Sequence, residues 1–401
     1  MTLPVLDNTS ARRLFLHRHA LIEPPSGPAK GADLLSLIHR LGFVQVDSIN
    51  TVERAHHMIL WSRRQSYRPG NLATLLEKDR SLFEHWTHDA SVIPSAFFCY
   101  WKLRFSRDAA RIRARWADWH GSEFHGKIEE VLAHVRENGH CGSGDVGEDE
   151  KRGKGGWWEW HPSKTALEYL WRSGQLSICH RRNFAKIYDL TERVLPHHHG
   201  LPDPGEAITI DWACNAALDR LGFATSGEIA AFWDLIKPDE AKDWCAAALR
   251  RGAIDEVQIE GADGTLRRCF ARPGLVAEAA GLPEAPNRIR ILSPFDPALR
   301  DRKRAERLFG FFYRIEVFVP EPKRQFGYYV FPVMERDRLI GRIDAKCLRS
   351  DGALSVRAFW PEPGIRMGAG RMARLEAELA RLGQFTDCRG LRFADGWLRG
   401  G

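Results

Sequence analysis

The chain repeats one order of elements three times: helices, then a glycine or polar break, then a pair of short strands. In the first copy, an apolar stripe over residues 34–41 predicts a helix that Gly42 ends. Apolar and polar residues alternate over residues 43–49, which predicts a strand, and the same periodicity predicts a hairpin across residues 82–93. Helices combined with short strand pairs predict an α+β fold.

The second and third copies follow the same order. Helical stripes at residues 128–135 and 166–171 precede a hairpin predicted across residues 176–188. Three helical stripes between residues 213 and 251 precede a hairpin predicted across residues 254–271. Helices followed by a hairpin that forms the wing are the winged-helix pattern. In the third copy this interpretation rests on helix count and wing position alone.

Four domains are predicted from these patterns. Beyond a linker at residues 283–286 the helical patterns give way to strands, so we expect a small sheet or barrel closed by a terminal helix. Strands are predicted there at residues 288–292, 313–319, 327–332, 338–344 and 354–359, and the helix at residues 367–382. The predicted domains are three tandem winged-helix units at residues 1–120, 121–203 and 204–284, and a C-terminal β-rich, barrel-like domain at residues 285–401.

Composition excludes several classes of protein. The chain has 401 residues, of which 44% are hydrophobic and 28% charged, as in folded globular proteins. It has no apolar run of about 18 residues and no basic N-terminal segment followed by an apolar core. We therefore expect a cytoplasmic monomer without a membrane partner. The eight cysteines form no Cys-x-x-Cys pair, which favours reduced thiols over a zinc cluster.

The charge of the chain is compatible with a polyanionic partner. The formal net charge is +7 and the sequence pI is about 9.0, values that an ordinary basic protein shares. Basic residues cluster in three places, where they are either phosphate contacts or a solvated surface. The clusters contain Lys102 and Arg104 in a helical stretch, Arg181 and Arg182 at a hairpin tip, and Arg302 and Lys303 in a loop near Pro297.

Seven segments along the chain match the motifs of one known family. They are Gln45-Val46-Asp47-Ser48-Ile49, Val52-Glu53-Arg54-Ala55-His56-His57, Leu60-Trp61-Ser62-Arg63, Phe83-Glu84-His85-Trp86-Thr87-His88-Asp89-Ala90, Leu292-Ser293-Pro294-Phe295-Asp296, Lys323-Arg324-Gln325-Phe326-Gly327-Tyr328-Tyr329 and Gly341-Arg342-Ile343-Asp344-Ala345-Lys346. Together they resemble the YcaQ/AlkZ-type winged-helix DNA glycosylases over nearly the whole chain. That family's catalytic motif is Gln-apolar-Gln or Gln-apolar-Asp, and this chain has the Asp form, like the YcaQ branch.

The resemblance implies a monofunctional DNA glycosylase that acts on double-stranded DNA and associates with the nucleoid when bound. Its expected substrates are alkylated purines, namely N7-alkylguanine and N3-alkyladenine, and interstrand crosslinks at guanine. Asp47 is then the catalytic carboxylate and Gln45 the partner that positions water. The resemblance also implies a basic concave surface around the duplex, to which we assign Arg63, Lys323 and Arg324, and it implies neither a metal nor an organic cofactor.

The residue types suit this chemistry. Residues two apart in a strand share a face, with Cα atoms about 6.6 Å apart, so Gln45 and Asp47 can hold a water or a sugar between them. A carboxylate stabilises an oxocarbenium-like sugar and orients or deprotonates water, and an amide holds the same water. The alternative is structural: the pair caps the following helix, as Asn50 or Thr51 also can, or lines a surface edge.

Histidines supply the remaining candidates. His88, in the predicted wing of the first unit, is an auxiliary contact to a phosphate or the sugar, or else a core histidine bonded to a backbone carbonyl. His56 and His57 are adjacent on a helix and point in different directions, which suits a metal poorly. The run at residues 197–199 lies between prolines and is predicted as an exposed turn. The glycine-rich residues 141–156 are predicted as a loop and lack a nucleotide-binding motif.

Two other functions compete with the glycosylase. A non-enzymatic winged-helix regulator of DNA needs a recognition helix and, in most cases, a dimer on spaced half-sites. A glycosylase needs buried polar residues that face a lesion. A helix-rich scaffold without a nucleic-acid role predicts no binding to duplex DNA at low salt.

Overall fold

The computed structural model describes residues 2–120, 123–147 and 162–400, with side chains left out at 115–120 and 123–125. Its helices are α1 (Asn8–Arg18), α2 (Gly31–Leu41), α3 (Ala55–Trp61), α4 (Pro69–Ala73), α5 (Phe98–His120), α6 (Glu123–Asn138), α7 (Pro162–Arg172), α8 (Thr191–Val194), α9 (Pro196–His199), α10 (Glu206–Leu221), α11 (Ser226–Trp233), α12 (Pro238–Arg250), α13 (Leu275–Ala280), α14 (Arg302–Phe309) and α15 (Ala369–Phe385). A π-helical turn, Thr74–Lys78, continues α4.

The strands are short except in the C-terminal third of the chain. They are β1 (Val5–Leu6), β2 (Val44–Gln45), β3 (Leu82–Trp86), β4 (Ala90–Pro94), β5 (Cys141–Gly142), β6 (Leu176–Arg182), β7 (Ala185–Leu190), β8 (Phe223–Ala224), β9 (Asp255–Glu260), β10 (Leu266–Ala271), β11 (Ile289–Ile291), β12 (Val330–Glu335), β13 (Arg338–Leu348), β14 (Ala353–Pro361) and β15 (Gly390–Phe393).

One compact unit comprises Met1–Pro69, Ala216–Ile229 and Lys242–Gly401. Its larger sheet has the order β11-β12-β13-β14-β15, antiparallel from β11 to β14, with β15 parallel to β14. Helix α15 packs on this sheet through β11, β14 and β15. The smaller sheet has the order β1-β9-β10-β8, in which the β9–β10 hairpin is central.

The other compact unit comprises Gly70–Asn215 and Ala230–Ala241. It contains the antiparallel β3–β4 pair and a sheet of order β5-β7-β6. Its interior is aromatic: the indole rings of Trp101, Trp171 and Trp233 are fully buried. The indole N–H groups of these three residues find acceptors, as polar groups in a core require. Trp171 donates to the Glu84 carbonyl at 3.1 Å, and Trp233 to the Ala213 carbonyl at 3.1 Å.

The order helix, two-residue strand, one or two helices, hairpin occurs three times, at residues 31–94, 123–190 and 206–271. In the second copy, residues 148–161 lie outside the described part, and so does most of the predicted loop at 141–156. Its first residues form β5 and a turn. The mixed α+β class is confirmed. The winged-helix count, the barrel and the four domain boundaries stay predictions.

Several predicted elements are confirmed. The helix over residues 34–41 ends at Gly42, and the three predicted hairpins form as β3–β4, β6–β7 and β9–β10. The second hairpin turns at Asn183 and Phe184, which have positive φ values of 49° and 70°, respectively. His180, Arg181 and Arg182 therefore lie in β6 and not at the tip of the hairpin. This two-residue loop is the primed turn type, whose twist matches that of the strands.

Other predictions are wrong in their bounds. The predicted strand over residues 43–49 is limited to Val44–Gln45, and no strand covers residues 313–319. Helix α3 begins at Ala55, with Arg54 at its N-cap, rather than after Asn50 or Thr51. Strand β15 was not predicted, because only its parallel pairing with β14 distinguishes it from a loop. No described helix is long and apolar enough to cross a membrane.

Candidate active site

The end of α2 places Gln45 in the interior. Gly42 has a φ of 91°, which glycine adopts without a steric penalty, and its N–H donates to the Ile38 carbonyl at 2.8 Å. The chain turns there and enters β2, where Gln45 is only 4% exposed. The amide of Gln45 is therefore held inside the protein and does not line a surface edge.

Asp47 lies just beyond β2 and is half-buried. Its Oδ1 accepts the N–H of Ile49 at 2.7 Å, so the carboxylate folds back on its own backbone. This local bond competes with a strand ladder, which explains why the strand ends at Gln45. Asp47 does not cap a helix either, because α3 begins eight residues later, at Ala55. One carboxylate oxygen is thus oriented by the backbone.

The segment after Asp47 is clamped by the end of β13. The Cys347 N–H donates to the Thr51 carbonyl at 2.8 Å. The guanidinium of Arg349 donates to Asn50 Oδ1 at 2.7 Å and to the Val52 carbonyl at 2.9 Å. These bonds join positions about 300 residues apart in the chain, so sequence reasoning had no signal for Arg349. The clamp fixes the backbone that carries Asp47.

A buried phenol, Tyr329, is within electrostatic reach of Asp47. Tyr329 is 2% exposed, and its side chain is hydrogen-bonded to Ser293, which is fully buried. Burial, followed by the negative charge of Asp47, raises the pKa of Tyr329 well above its ordinary value. The hydroxyl therefore stays protonated. Ser293 and Tyr329 both lie in segments that carried the family resemblance, but the sequence alone gave them no role.

Arg302 is bonded to the backbone of the segment that contains Ser293. Its guanidinium donates to the carbonyls of Pro294 at 2.7 Å and Leu299 at 3.0 Å, and it lies 4.6 Å from the centre of the Tyr313 ring. Burial lowers the pKa of Arg302 from its ordinary value. The Tyr313 hydroxyl in turn donates to the Val330 carbonyl at 2.6 Å. Arg302 is thus occupied within the protein, whereas its neighbour Lys303 is exposed.

Arg63 is a core residue, which corrects its assignment as a DNA contact. Its side chain is 0% exposed, as is that of Asp296, and the two form a bidentate pair at 2.6 and 2.9 Å. Arg63 also donates to the carbonyls of His19 at 2.9 Å and Ile59 at 3.0 Å. A guanidinium enclosed in this way cannot reach a phosphate. It holds the turn of Asp296, which includes Ser293, against α3.

Arg104 is likewise buried and does not face solvent as a DNA contact would. It is 5% exposed and pairs with Asp108 at 3.5 Å and Asp234 at 3.2 Å. Its position in a basic helical cluster suggested that it is exposed, but helical spacing places this member of the cluster in the interior. Arg104 therefore stabilises the second compact unit.

The remaining residues that were predicted to contact DNA fall into two groups: some are bonded within the protein, and others are exposed. Lys102 donates to the carbonyls of His199 and Leu201, Arg181 pairs with Glu84, and Arg324 donates to the Val319 carbonyl at 2.8 Å. Arg182, Lys303 and Lys323 are exposed, so they are the members of the predicted set best placed to contact a phosphate.

The described histidines show no arrangement suited to a metal. His57 Nδ1 lies 2.8 Å from the Tyr67 hydroxyl, and burial lowers the pKa of His57 to about 4. His88 is exposed at the turn between β3 and β4, with Nδ1 3.2 Å from the Thr87 hydroxyl. Residues 197–199 form the short helix α9. Across residues 2–120, 123–147 and 162–400, no group of three or more His, Cys, Asp or Glu side chains is arranged to hold a metal ion.

Comparison with known proteins defines the class of the protein. A family model described as "DNA glycosylase AlkZ-like" matches residues 38–385. The protein is therefore a DNA glycosylase, a DNA-binding hydrolase of DNA repair, and not a non-enzymatic regulator or a scaffold. The chain belongs to the AlkZ-like DNA glycosylase family.

A solved structure shares the fold. The DNA glycosylase AlkZ of Streptomyces sahachiroi matches with a TM-score of 0.64 and 17% sequence identity, over 96% of this chain and 98% of that chain. At this identity the match shows the fold alone, so residue roles rest on the geometry described above.

Proposed function

We propose that this glycosylase hydrolyses the N-glycosidic bond of alkylated purines in duplex DNA. Its substrates are N7-alkylguanine, N3-alkyladenine and guanine joined in interstrand crosslinks, and it acts as a monofunctional monomer. Asp47 stabilises the oxocarbenium-like sugar and activates the attacking water, and Gln45 positions that water. The observation that carries the proposal is the clamped, half-buried carboxylate of Asp47 beside a protonated phenol.

Charge explains why one carboxylate suffices. An N7-alkylated purine is already cationic, so it leaves without being protonated, and the developing charge on the sugar is the part of the barrier that a carboxylate lowers. Asp47 is suited to this because the Ile49 amide orients its Oδ1, and the clamp at residues 50–52 restrains the backbone. Such a fixed charge costs little reorganisation during the reaction.

Three winged-helix modules are proposed to present the site to DNA. The supporting observation is the order of helix, two-residue strand, one or two helices and hairpin, which occurs three times along the chain. Arg182, Lys303 and Lys323 are proposed to contact phosphates, because they are exposed. Phosphate contacts position the enzyme on any sequence, which suits an enzyme that searches for damage.

The test is the release of N7-methylguanine from a labelled duplex. Asp47→Asn keeps an acceptor for the Ile49 amide but removes the charge, so we expect excision to fall roughly 10²-fold or more while duplex binding persists. Gln45→Ala should lower excision less, because water can partly replace the amide. Asp33→Asn, the same change at an exposed position in the first turn of α2, is the control. Excision by Asp47→Asn at the wild-type rate would show that another group carries the reaction.

A further inference from the structure

Residues 311–329, between α14 and β12, carry the most exposed large aromatic side chain of the described residues. Phe318 is 89% exposed, Phe312 58% and Tyr328 40%. Apart from the short turn Glu321–Lys323, no helix or strand forms here. Neighbouring exposed aromatic residues of this kind are unusual on a monomer surface, and they mark contact sites more often than core defects.

The segment is nevertheless braced from within. The carboxylate of Glu316 accepts three consecutive backbone N–H groups, those of Gln325, Phe326 and Gly327, each at 2.9 Å. Burial alone raises the pKa of Glu316, but these amides outweigh it, so the pKa is lowered and the carboxylate stays charged. The Glu316 carbonyl also accepts the Val319 N–H at 3.0 Å. One side chain thus joins both halves of the segment.

Both ends of the segment are anchored in the protein, and one of them lies within electrostatic reach of the candidate catalytic carboxylate. At one end Tyr313 is buried and bonded to the Val330 carbonyl, and at the other end Tyr329 is buried next to Ser293 and feels the charge of Asp47. A braced segment that ends at the site holds its exposed side chains at a fixed place relative to the chemistry. Phe318 lies within it, in the turn that the Val319 N–H closes on the Glu316 carbonyl.

Guanidinium groups lie over two of the three exposed rings. The Arg314 guanidinium lies 4.4 Å from the centre of the Phe312 ring, and that of Arg324 lies 5.1 Å from the centre of the Tyr328 ring. Lys323 is exposed next to Arg324 in the chain. The charge of Glu316 is directed at backbone amides, and Arg314 also pairs with Glu306 at 2.7 Å. With Glu321 exposed as well, the segment combines exposed aromatic rings with charges of both signs, among which Lys323 can meet a phosphate. This combination suits nucleic acid, whose bases offer stacking faces and whose backbone offers negative charge.

We propose that Phe318 is a wedge that stacks on a nucleobase of the duplex next to the lesion, while Lys323 meets a flanking phosphate. The ligand is the face of a base pair step in double-stranded DNA. Unstacking one step opens the strand where the glycosidic bond must be reached, so a bulky or crosslinked base need not be turned fully into a pocket. The inference rests on the proposed catalytic role of Asp47 for the place where the wedge acts.

The test uses a duplex with 2-aminopurine next to N7-methylguanine, and the full-length protein. In the Asp47→Asn background, binding should increase 2-aminopurine fluorescence, because the probe is unstacked, and adding Phe318→Ala should abolish that increase. In the otherwise wild-type protein, Phe318→Ala should slow single-turnover excision about ten-fold, the scale of one lost base–aromatic stack, and leave the salt dependence of binding unchanged. Phe318→Trp should retain both signals.

Val276→Ala, at another exposed apolar position, on α13, is the matched control and should change neither signal. An unchanged fluorescence increase and unchanged excision with Phe318→Ala would overturn the wedge, even if Asp47→Asn remains inactive. Excision that persists in Asp47→Asn would instead overturn the catalytic assignment, and the fluorescence of the two Phe318 variants would still decide the wedge. Loss of self-association in Phe318→Ala without DNA would also overturn it, since the rings would then form a protein interface.

Discussion

Removal of Arg63 should destabilise the fold and leave the intrinsic affinity for DNA almost unchanged. Arg63→Ala strands the carboxylate of Asp296, which is 0% exposed and loses hydrogen bonds of 2.6 and 2.9 Å. The carbonyls of His19 and Ile59 lose a donor as well. Breaking one partner of a buried pair costs about 3–5 kcal/mol. The whole stability of a domain is only about 5–15 kcal/mol, so this is a large share.

The size of the effect can be separated from mere packing. If the uncompensated charge is the cause, replacing both partners with apolar residues, Arg63→Met with Asp296→Leu, should cost less than Arg63→Ala alone. Urea unfolding followed by tryptophan fluorescence measures the midpoint of each variant, with the slope checked for a change in the extent of unfolding. Duplex affinity is then measured by titration well below the unfolding midpoint.

Lys303→Ala is the opposite control. Lys303 is exposed, so its removal should leave the urea midpoint unchanged and lower the salt slope of duplex binding by about one. If instead Arg63→Ala unfolded within about 1 kcal/mol of the wild type and weakened duplex binding with a reduced salt slope, Arg63 would be a phosphate contact and its core assignment would be wrong.

Two further predictions concern pH and the clamp on the catalytic segment. Burial alone raises the pKa of Glu228, but the charges of Arg304 and Arg307 and the Thr225 amide lower it to about 2. The pKa of a glutamate in the unfolded chain is about 4.3, so the ionised Glu228 stabilises the protein above that pH by on the order of 3 kcal/mol. That stability is lost as the pH falls towards 2, and Glu228→Gln should flatten this part of a series of urea midpoints. Arg349→Ala should lower excision roughly ten-fold with unchanged duplex affinity, because two bonds to the segment after Asp47 are lost, a loss of about 1–2 kcal/mol. Arg392→Ala, at an exposed arginine that pairs with Asp351, should excise normally, and equal losses in both variants would mean that the clamp is not specific.

Local signals predicted the elements well, and tertiary contacts decided the rest. Gly42 ended α2 as predicted, because the positive φ there is a local requirement. The length of the strand after it was overestimated. The Ile49 N–H donates to the Asp47 carboxylate, and this bond replaces a ladder bond that alternation alone suggested. Helix α11 is capped by Thr225, which bonds reciprocally with Glu228, the local arrangement known as a capping box.

Only part of the candidate site could be predicted from the sequence. Gln45 and Asp47 were found because their spacing and the surrounding motifs lie within a few residues. Tyr329, Ser293 and Arg349 come from the far end of the chain, and nothing local to them indicates that they lie near Asp47. Positive charge misled in the same way: the sequence does not reveal that Arg63 and Arg104 pair in the fold with buried carboxylates, Asp296 and Asp108.

Lesion choice follows from the protonation of the groups around Asp47. The neighbouring phenol of Tyr329 holds its proton firmly, because burial and the charge of Asp47 both raise its pKa, so it is a poor acid for a departing base. Cationic N7-methylguanine and N3-methyladenine need no proton and should be excised well. Neutral uracil and 8-oxoguanine should be excised poorly in the same duplex context, measured as single-turnover release. Comparable rates for uracil and N7-methylguanine would reveal another general acid, and His88→Gln would then be the first variant to examine, because His88 is exposed and histidine is the side chain that most often serves as a general acid.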